Sequence, residues 1–167
     1  MYTSINLRRA VVDDAATVLA WMNDERIWRM DNPAPYQPRA LPEFEKQWAR
    51  MVGEQTVWML EVQDEPVGHM GWVHQGSTVA EFYIVIGEPD RWGEGLGREA
   101  MQMMVDAGLR DRLHVLYGRV LGENQRARSF FASLGFRDLY VSADFYERDG
   151  RSHDLYWVAL DLHKAAA

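Results

Sequence analysis

Apolar and polar positions along the chain fall into a succession of short periodic segments. Ile5 to Val11 reads as a strand, and Asp13 is the expected N-cap of a helix with Ala16, Leu19 and Ala20 on one side, ended by Trp21 to Asp24. A second amphipathic piece, Glu25 to Met30, runs into Asp31-Asn32-Pro33-Ala34-Pro35-Tyr36-Gln37-Pro38, where the prolines deny regular structure. Leu41, Phe44, Trp48, Met51 and Val52 form a helical stripe, with Pro42 in its first turn and Gly53 past its end. Thr56 to Val62, Val67 to His74 and Thr78 to Ile86 read as strands separated by Asp64-Glu65-Pro66 and Gln75-Gly76-Ser77, turns short enough to impose antiparallel pairing. Leu96, Ala100, Met103, Met104 and Ala107 mark a helix from Leu96 to Leu109. A strand from His114 to Val120 follows, reached by a helical crossover that implies local parallel pairing. Asn124 caps a helix to Leu134 closed by Gly135, and Phe136 to Tyr146 and Ser152 to Leu162 form a hairpin around Arg148-Asp149-Gly150.

The expected order is therefore strand, two helices, three antiparallel strands, helix, strand, helix, two strands. This pattern suits an α/β fold with a single mixed, mostly antiparallel sheet and helices on both faces. At 167 residues the chain supports one well-buried core, so residues 1–167 are expected to form one domain.

Composition narrows the class. No window nears the ~20 apolar residues of a membrane span, and Met1 to Asn6 lacks signal-peptide character, so a cytoplasmic protein with no membrane partner is expected. The absence of Cys removes disulfides, thiolate nucleophiles and thiolate metal sites together. The five His residues show no ligand spacing, and no metal is expected. A formal charge of −7 argues against nucleic acid as a partner and tilts the choice toward a cationic small-molecule amine. A homodimer is left open.

The strongest chemical signal is Glu88-Pro89-Asp90-Arg91-Trp92-Gly93-Glu94-Gly95-Leu96-Gly97-Arg98-Glu99-Ala100, between a strand and a helix. Its glycines leave amide N–H groups uncovered where the helix begins, and the helix dipole with Arg91 and Arg98 makes an anion site suited to a pyrophosphate. A dinucleotide fingerprint would need glycine at Arg98 or Ala100, and a Walker loop would need Lys-Ser/Thr after Gly97, so neither is met. The stretch resembles the pyrophosphate loop of the GNAT superfamily of acyl-CoA-dependent N-acetyltransferases, Gln/Arg-x-x-Gly-x-Gly/Ala. Gly95 and Gly97 match its glycines, and Trp92 stands where Gln or Arg is usual. The Trp-Gly-x-Gly-x-Gly-x-Glu-Ala form looks like the branch holding ribosomal-protein alanine and small-amine acetyltransferases. Asn124-Gln125-Arg126-Ala127 followed by Phe131 and Gly135-Phe136 is similar to the family's second signature, with Phe131 in place of its usual Tyr. The closing hairpin, Phe145-Tyr146 through Asp149-Gly150 to Asp154, is a third point of likeness.

The resemblance implies a GNAT-like fold and acetyl-CoA as co-substrate without a metal. It places the cofactor on the strand residues Ile84, Val85 and Ile86, on the loop residues Arg91, Trp92, Gly93, Glu94, Gly95, Leu96, Gly97 and Arg98, and on Asn124 and Phe131. A main-chain N–H of Val85 or Ile86 would polarise the thioester carbonyl. Glu81 is the candidate base that takes a proton from the incoming ammonium, and alternation puts Glu81, Tyr83 and Val85 on one face. Because Phe131 cannot donate a proton, Tyr83, Tyr117 and Tyr146 are weighed as acids, with Tyr83 set beside Glu81 as the catalytic pair. Trp28, Asp31 and Tyr36 are candidates for an aromatic and acidic pocket around a cation. The implied reaction is direct acetyl transfer to a primary amine in a ternary complex. Alternatives are a protein N-terminal acetyltransferase and a non-catalytic acyl-CoA sensor.

Overall fold

The computed structural model describes residues 4–165. The chain runs β1 (Asn6–Arg9), a 3-10 turn (Val12–Asp14), α1 (Ala15–Met22), α2 (Glu25–Asp31), α3 (Leu41–Glu54), β2 (Thr56–Val62), β3 (Glu65–His74) and β4 (Val79–Ile86). A second 3-10 turn (Pro89–Arg91) leads to α4 (Leu96–Arg110), β5 (Val115–Leu121), α5 (Gln125–Ser133), β6 (Arg137–Arg148), β7 (Arg151–Asp161) and the single turn α6 (Leu162–Ala165). The strands form one mixed sheet in the order β1-β2-β3-β4-β5-β7-β6. All neighbours are antiparallel except β4 and β5.

Each sheet face builds its own core. On one face Ala80 and Phe82 of β4 and Met70 and Trp72 of β3 pack with Leu96, Ala100 and Met104 of α4, Phe131 of α5 and Leu162 of α6. On the other, Val57 and Met59 of β2 pack with Val18, Leu19 and Trp21 of α1, Ile27 of α2 and Phe44 and Trp48 of α3. Alternation along each strand supplies both faces from one segment.

Several local expectations shift. The first helix is entered through the 3-10 turn and not capped by Asp13. This rotates its inward stripe to Ala15, Val18, Leu19 and Trp21 and leaves Ala16 and Ala20 exposed. The carboxylate that ties down this entry is Asp14, which accepts from the Val11 N–H at 2.9 Å and pairs with Arg8 of β1. Glu25–Asp31 is a helix in its own right, so three helices precede β2. Gly53 lies inside the last turn of α3, with Gln55 as the C-cap. In α4 the inward positions are Met101, Met104 and Val105, while Met103 and Ala107 lie at the flank.

The element that positions the site is the β4–β5 pair. It is bonded only over Val79–Glu81 against Val115–Tyr117, after which both strands continue apart. The ring of Phe82 lies against Gly118 at the start of the opening, backed by Phe131 and Phe136 with ring centres 5.4 and 5.2 Å away.

Candidate active site

The divergence of β4 and β5 opens a cleft of about 390 Å³, floored by both strands and closed at one end by the glycine loop and the start of α4. Val85 is a hydrogen-bonded partner of His69, because Gly87 N–H reaches Val67 O at 2.8 Å one step further along. By alternation the backbone groups of Ile84 and Ile86 face the opening and those of Val85 and Tyr83 face β3. This corrects the expectation for Val85: its N–H is committed to the sheet, and the Ile84 N–H and C=O and the Ile86 N–H are the groups free for an extended, amide-bearing ligand.

At the loop, Gly93 and Gly95 adopt φ of +97° and +95°, values that residues with a Cβ rarely take. Among the described residues the N–H groups of Gly93, Gly95, Leu96 and Gly97 have no acceptor, whereas those of Arg98 and Glu99 bond to Gly95 O. Uncovered amides at a helix N-terminus form an anion cradle. Trp92 fixes the loop to the strand by donating its indole N–H to Ile86 O at 2.9 Å. Arg91 is held by Glu94 at 3.0 Å, so the acidic side chain of the loop turns to a neighbour and leaves the cradle to the backbone. Arg98 donates to Ser133 of α5 at 2.9 Å. This cradle and the free strand edge beside it fit a pyrophosphate joined to a pantetheine arm, and Phe130 and Phe131 supply an apolar wall.

The second signature has a mixed role. Asn124 caps α5 by accepting from Ala127 N–H at 3.0 Å and donates to Met30 O at 3.0 Å. Its side chain thus latches α5 to the end of α2, and it lines the cleft with both polar atoms engaged.

The acceptor side departs from the sequence expectation. Glu81 does not line the cleft; it pairs with Arg119 Nε at 2.8 Å and accepts from the Tyr117 hydroxyl at 3.4 Å. Tyr83 lines the cleft, but its hydroxyl lies over Gly71 of β3, within 2.6 Å of where a Cβ there would stand, buried and without a partner among the described residues. Burial pushes this phenol well above its usual pKa, and it points away from β5. Trp28 and Tyr36 also leave the cleft. Trp28 is buried with its N–H on Ala34 O at 3.0 Å, and Tyr36 donates to Asn23 O at 2.8 Å. They brace the proline segment against each other, edge to face at 5.9 Å.

Asp31 alone of that trio lines the cleft, at the end of α2. It is open to solvent. Desolvation raises its pKa above the ordinary carboxylate range, opposed by Arg119 and Arg39. Two charged cleft residues went unrecognised in the sequence. Arg119 shares the face of Tyr117 on β5, and Arg126 of α5 stacks on Trp92, its guanidinium 5.2 Å from the ring centre. Strand parity was legible for the first; for the second the only signal was its place in the Asn124 motif.

A family model described as an acetyltransferase (GNAT) domain matches residues 4–137. The chain is similar to a [ribosomal protein bS18]-alanine N-acetyltransferase of Escherichia coli (strain K12), 24% identical over 136 residues, 79% of this chain and 92% of that one. An N-acetyltransferase 9-like protein of Nematostella vectensis is 38% identical over 71 residues, 41% of this chain; the match spans only 35% of that relative's length. In fold it resembles a spermidine N-acetyltransferase from Vibrio cholerae, solved with CoA and spermine, with a TM-score of 0.86 at 19% identity over 98% of this chain and 99% of that one. No group of three or more His, Cys, Asp or Glu among the described residues is placed to hold a metal.

Proposed function

The chain belongs to the GNAT family of acetyltransferases, and from that premise we propose that it moves an acetyl group from acetyl-CoA to the primary amine of a small molecule, by direct attack in a ternary complex. The observation that carries this reading is the continuous path from the loop amides to the open strand edge of β4, with a carboxylate beside it. Residues Gly93 to Gly97 hold the pyrophosphate, Ile84 and Ile86 pair with the pantetheine arm, and their N–H groups are the nearest donors to a developing oxyanion. One ammonium proton leaves first. The amine's lone pair then forms the C–N bond, the C–S bond breaks, and the thiolate takes the amine's second proton, so amide, thiol and one free proton result. Among the described residues the cleft lining offers no Ser, Lys or His to carry the acetyl group between donor and acceptor. With a leaving thiol near pKa ~8.5, Phe131 in place of a tyrosine acid is no bar to turnover.

The acceptor arrives as an ammonium near Asp31, and amino-acid derivatives, amino sugars, aminoglycosides and polyamines are the classes in view. A protein α-amine is the second reading, favoured by the relative that acts on a ribosomal protein. We place the activity in one cytoplasmic domain. A second copy of the chain is the partner that the outer edge of β6 fits, through exposed Leu139, Tyr140 and Phe145; sedimentation that returns a monomer at high concentration would remove it.

The test is calorimetric titration of acetyl-CoA into the wild type and Gly95→Glu, followed by a thiol-release screen over amines. At φ +95° a side chain is strained by roughly 1–2 kcal/mol, and the new carboxylate repels the phosphates. Binding lost in the variant, with turnover on some amine, is the expected result. No binding by the wild type ends the acyl-CoA reading.

A further inference from the structure

We propose that the acceptor carries a carboxylate beside its amine, an amino acid or close analogue, with Asp31 holding the ammonium and Arg119 the carboxylate. The inference rests on the acetyltransferase reading and names the substrate class of that same cleft.

Around the acceptor side most carboxylates are already engaged. Glu81 pairs with Arg119, Glu123 with Arg148 at 2.9 Å, and Asp149 with Arg29 at 2.8 Å, while Glu88 accepts the Trp21 indole N–H at 3.0 Å. Asp31 is left without an ion pair or hydrogen bond among the described residues. A polycation needs several free carboxylates, and this wall presents one.

Arg119 supplies the opposite charge in a prepared form. Its Nε is fixed by Glu81, and its guanidinium lies over the Trp157 ring, 5.5 Å from the centre. Its terminal nitrogens have no acceptor among the described residues, and the residue lines the same cleft as Asp31. A guanidinium held at Nε and stacked on one face presents its remaining donors as a planar fork, the geometry that binds a carboxylate with two hydrogen bonds. Glu81 is then a positioning residue that aims Arg119. Asp31 feels Arg119 and Arg39 as nearby positive charges, so anion and cation share one field. An unpaired carboxylate and a guanidinium whose terminal nitrogens are free, on one cleft, call for a zwitterion. A plain alkylamine would leave the Arg119 fork unused.

The experiment measures kcat/KM for matched pairs, each an amino acid and the amine left by removing its carboxylate, with polyamines alongside, in wild type, Arg119→Gln and Arg119→Lys. The wild type should favour the amino acid of at least one pair by about tenfold or more, the order expected from a charge-assisted bond. Arg119→Gln should erase that advantage mainly through KM, with Arg119→Lys restoring part of it. A merely structural role for Arg119 would lower both members of a pair alike, and an advantage that survives Arg119→Gln overturns the proposal. So does a wild type that favours the carboxylate-free amines or the polyamines, which would leave the acetyltransferase reading standing. Acetyl-CoA binding with no transfer to any amine would defeat that reading and the proposal with it.

Discussion

Trp92 stands where the family usually has Gln or Arg, and its indole is used twice. The N–H ties the loop to Ile86, and the ring carries the guanidinium of Arg126 beside Gly93. The cation missing at position 92 is thus supplied from α5, on the anion side of the cleft. Arg126→Ala should therefore weaken acetyl-CoA binding by roughly threefold to tenfold at low salt, and the difference from wild type should shrink at high salt, as expected for a partly exposed charge. Calorimetry at two ionic strengths reads this out. Unchanged affinity at low salt would show that Arg126 serves only to cover the indole.

Asn124 acts between elements. Its Oδ1 caps α5 while its Nδ2 holds the carbonyl of Met30 at the end of α2, so one side chain fixes a helix from each side of the sheet at the cleft. Asn124→Asp keeps the cap acceptor and turns the donor into an oxygen facing a carbonyl, whereas Asn124→Ala removes both contacts and costs about 1 kcal/mol through the cap alone. Hydrogen exchange should quicken in α2 for both variants and in the first turn of α5 only for Asn124→Ala. Equal protection of α2 in all three proteins would mean that the latch does not hold it. The helix and its cap were legible in the sequence because Asn124, Gly135 and the stripe between them are local signals. The strand, glycine turn and helix around Gly95 were legible for the same reason, and so was the parallel return to β5. What alternation cannot supply is lateral direction. It put Glu81 and Tyr83 on one face, but register decided that Glu81 turns to Arg119 on β5 and that the Tyr83 hydroxyl lies over Gly71 on β3. Trp28, Asp31 and Tyr36 are close in sequence, yet the helix end falls between them and only Asp31 reaches the cleft.

Across the whole molecule one sheet serves two cores, and stability depends on both faces remaining dry. On the side of α1 and α3, His69 is buried between Trp21, stacked at 6.2 Å, and Trp48, edge-on at 5.8 Å, with Nδ1 lacking a partner among the described residues. Burial lowers its pKa to about 4 from an ordinary value of 6.5. The unfolded imidazole takes up its proton near 6.5 and the folded one only near 4, so between those values acid binds the unfolded chain preferentially. The contribution of His69 to stability is therefore complete above about pH 6.5 and is lost as the pH falls toward 4, a change of roughly 3 kcal/mol over the interval. His69→Phe keeps an aromatic ring between the tryptophans and removes the titrating group. Urea unfolding at intervals from pH 7.5 to 4.5 should show wild-type stability falling through this window and a much flatter profile in the variant, whatever its absolute stability. Parallel profiles for the two proteins would place the acid sensitivity elsewhere, in carboxylates such as Asp14 whose folded pKa is depressed and whose contribution is lost only at lower pH.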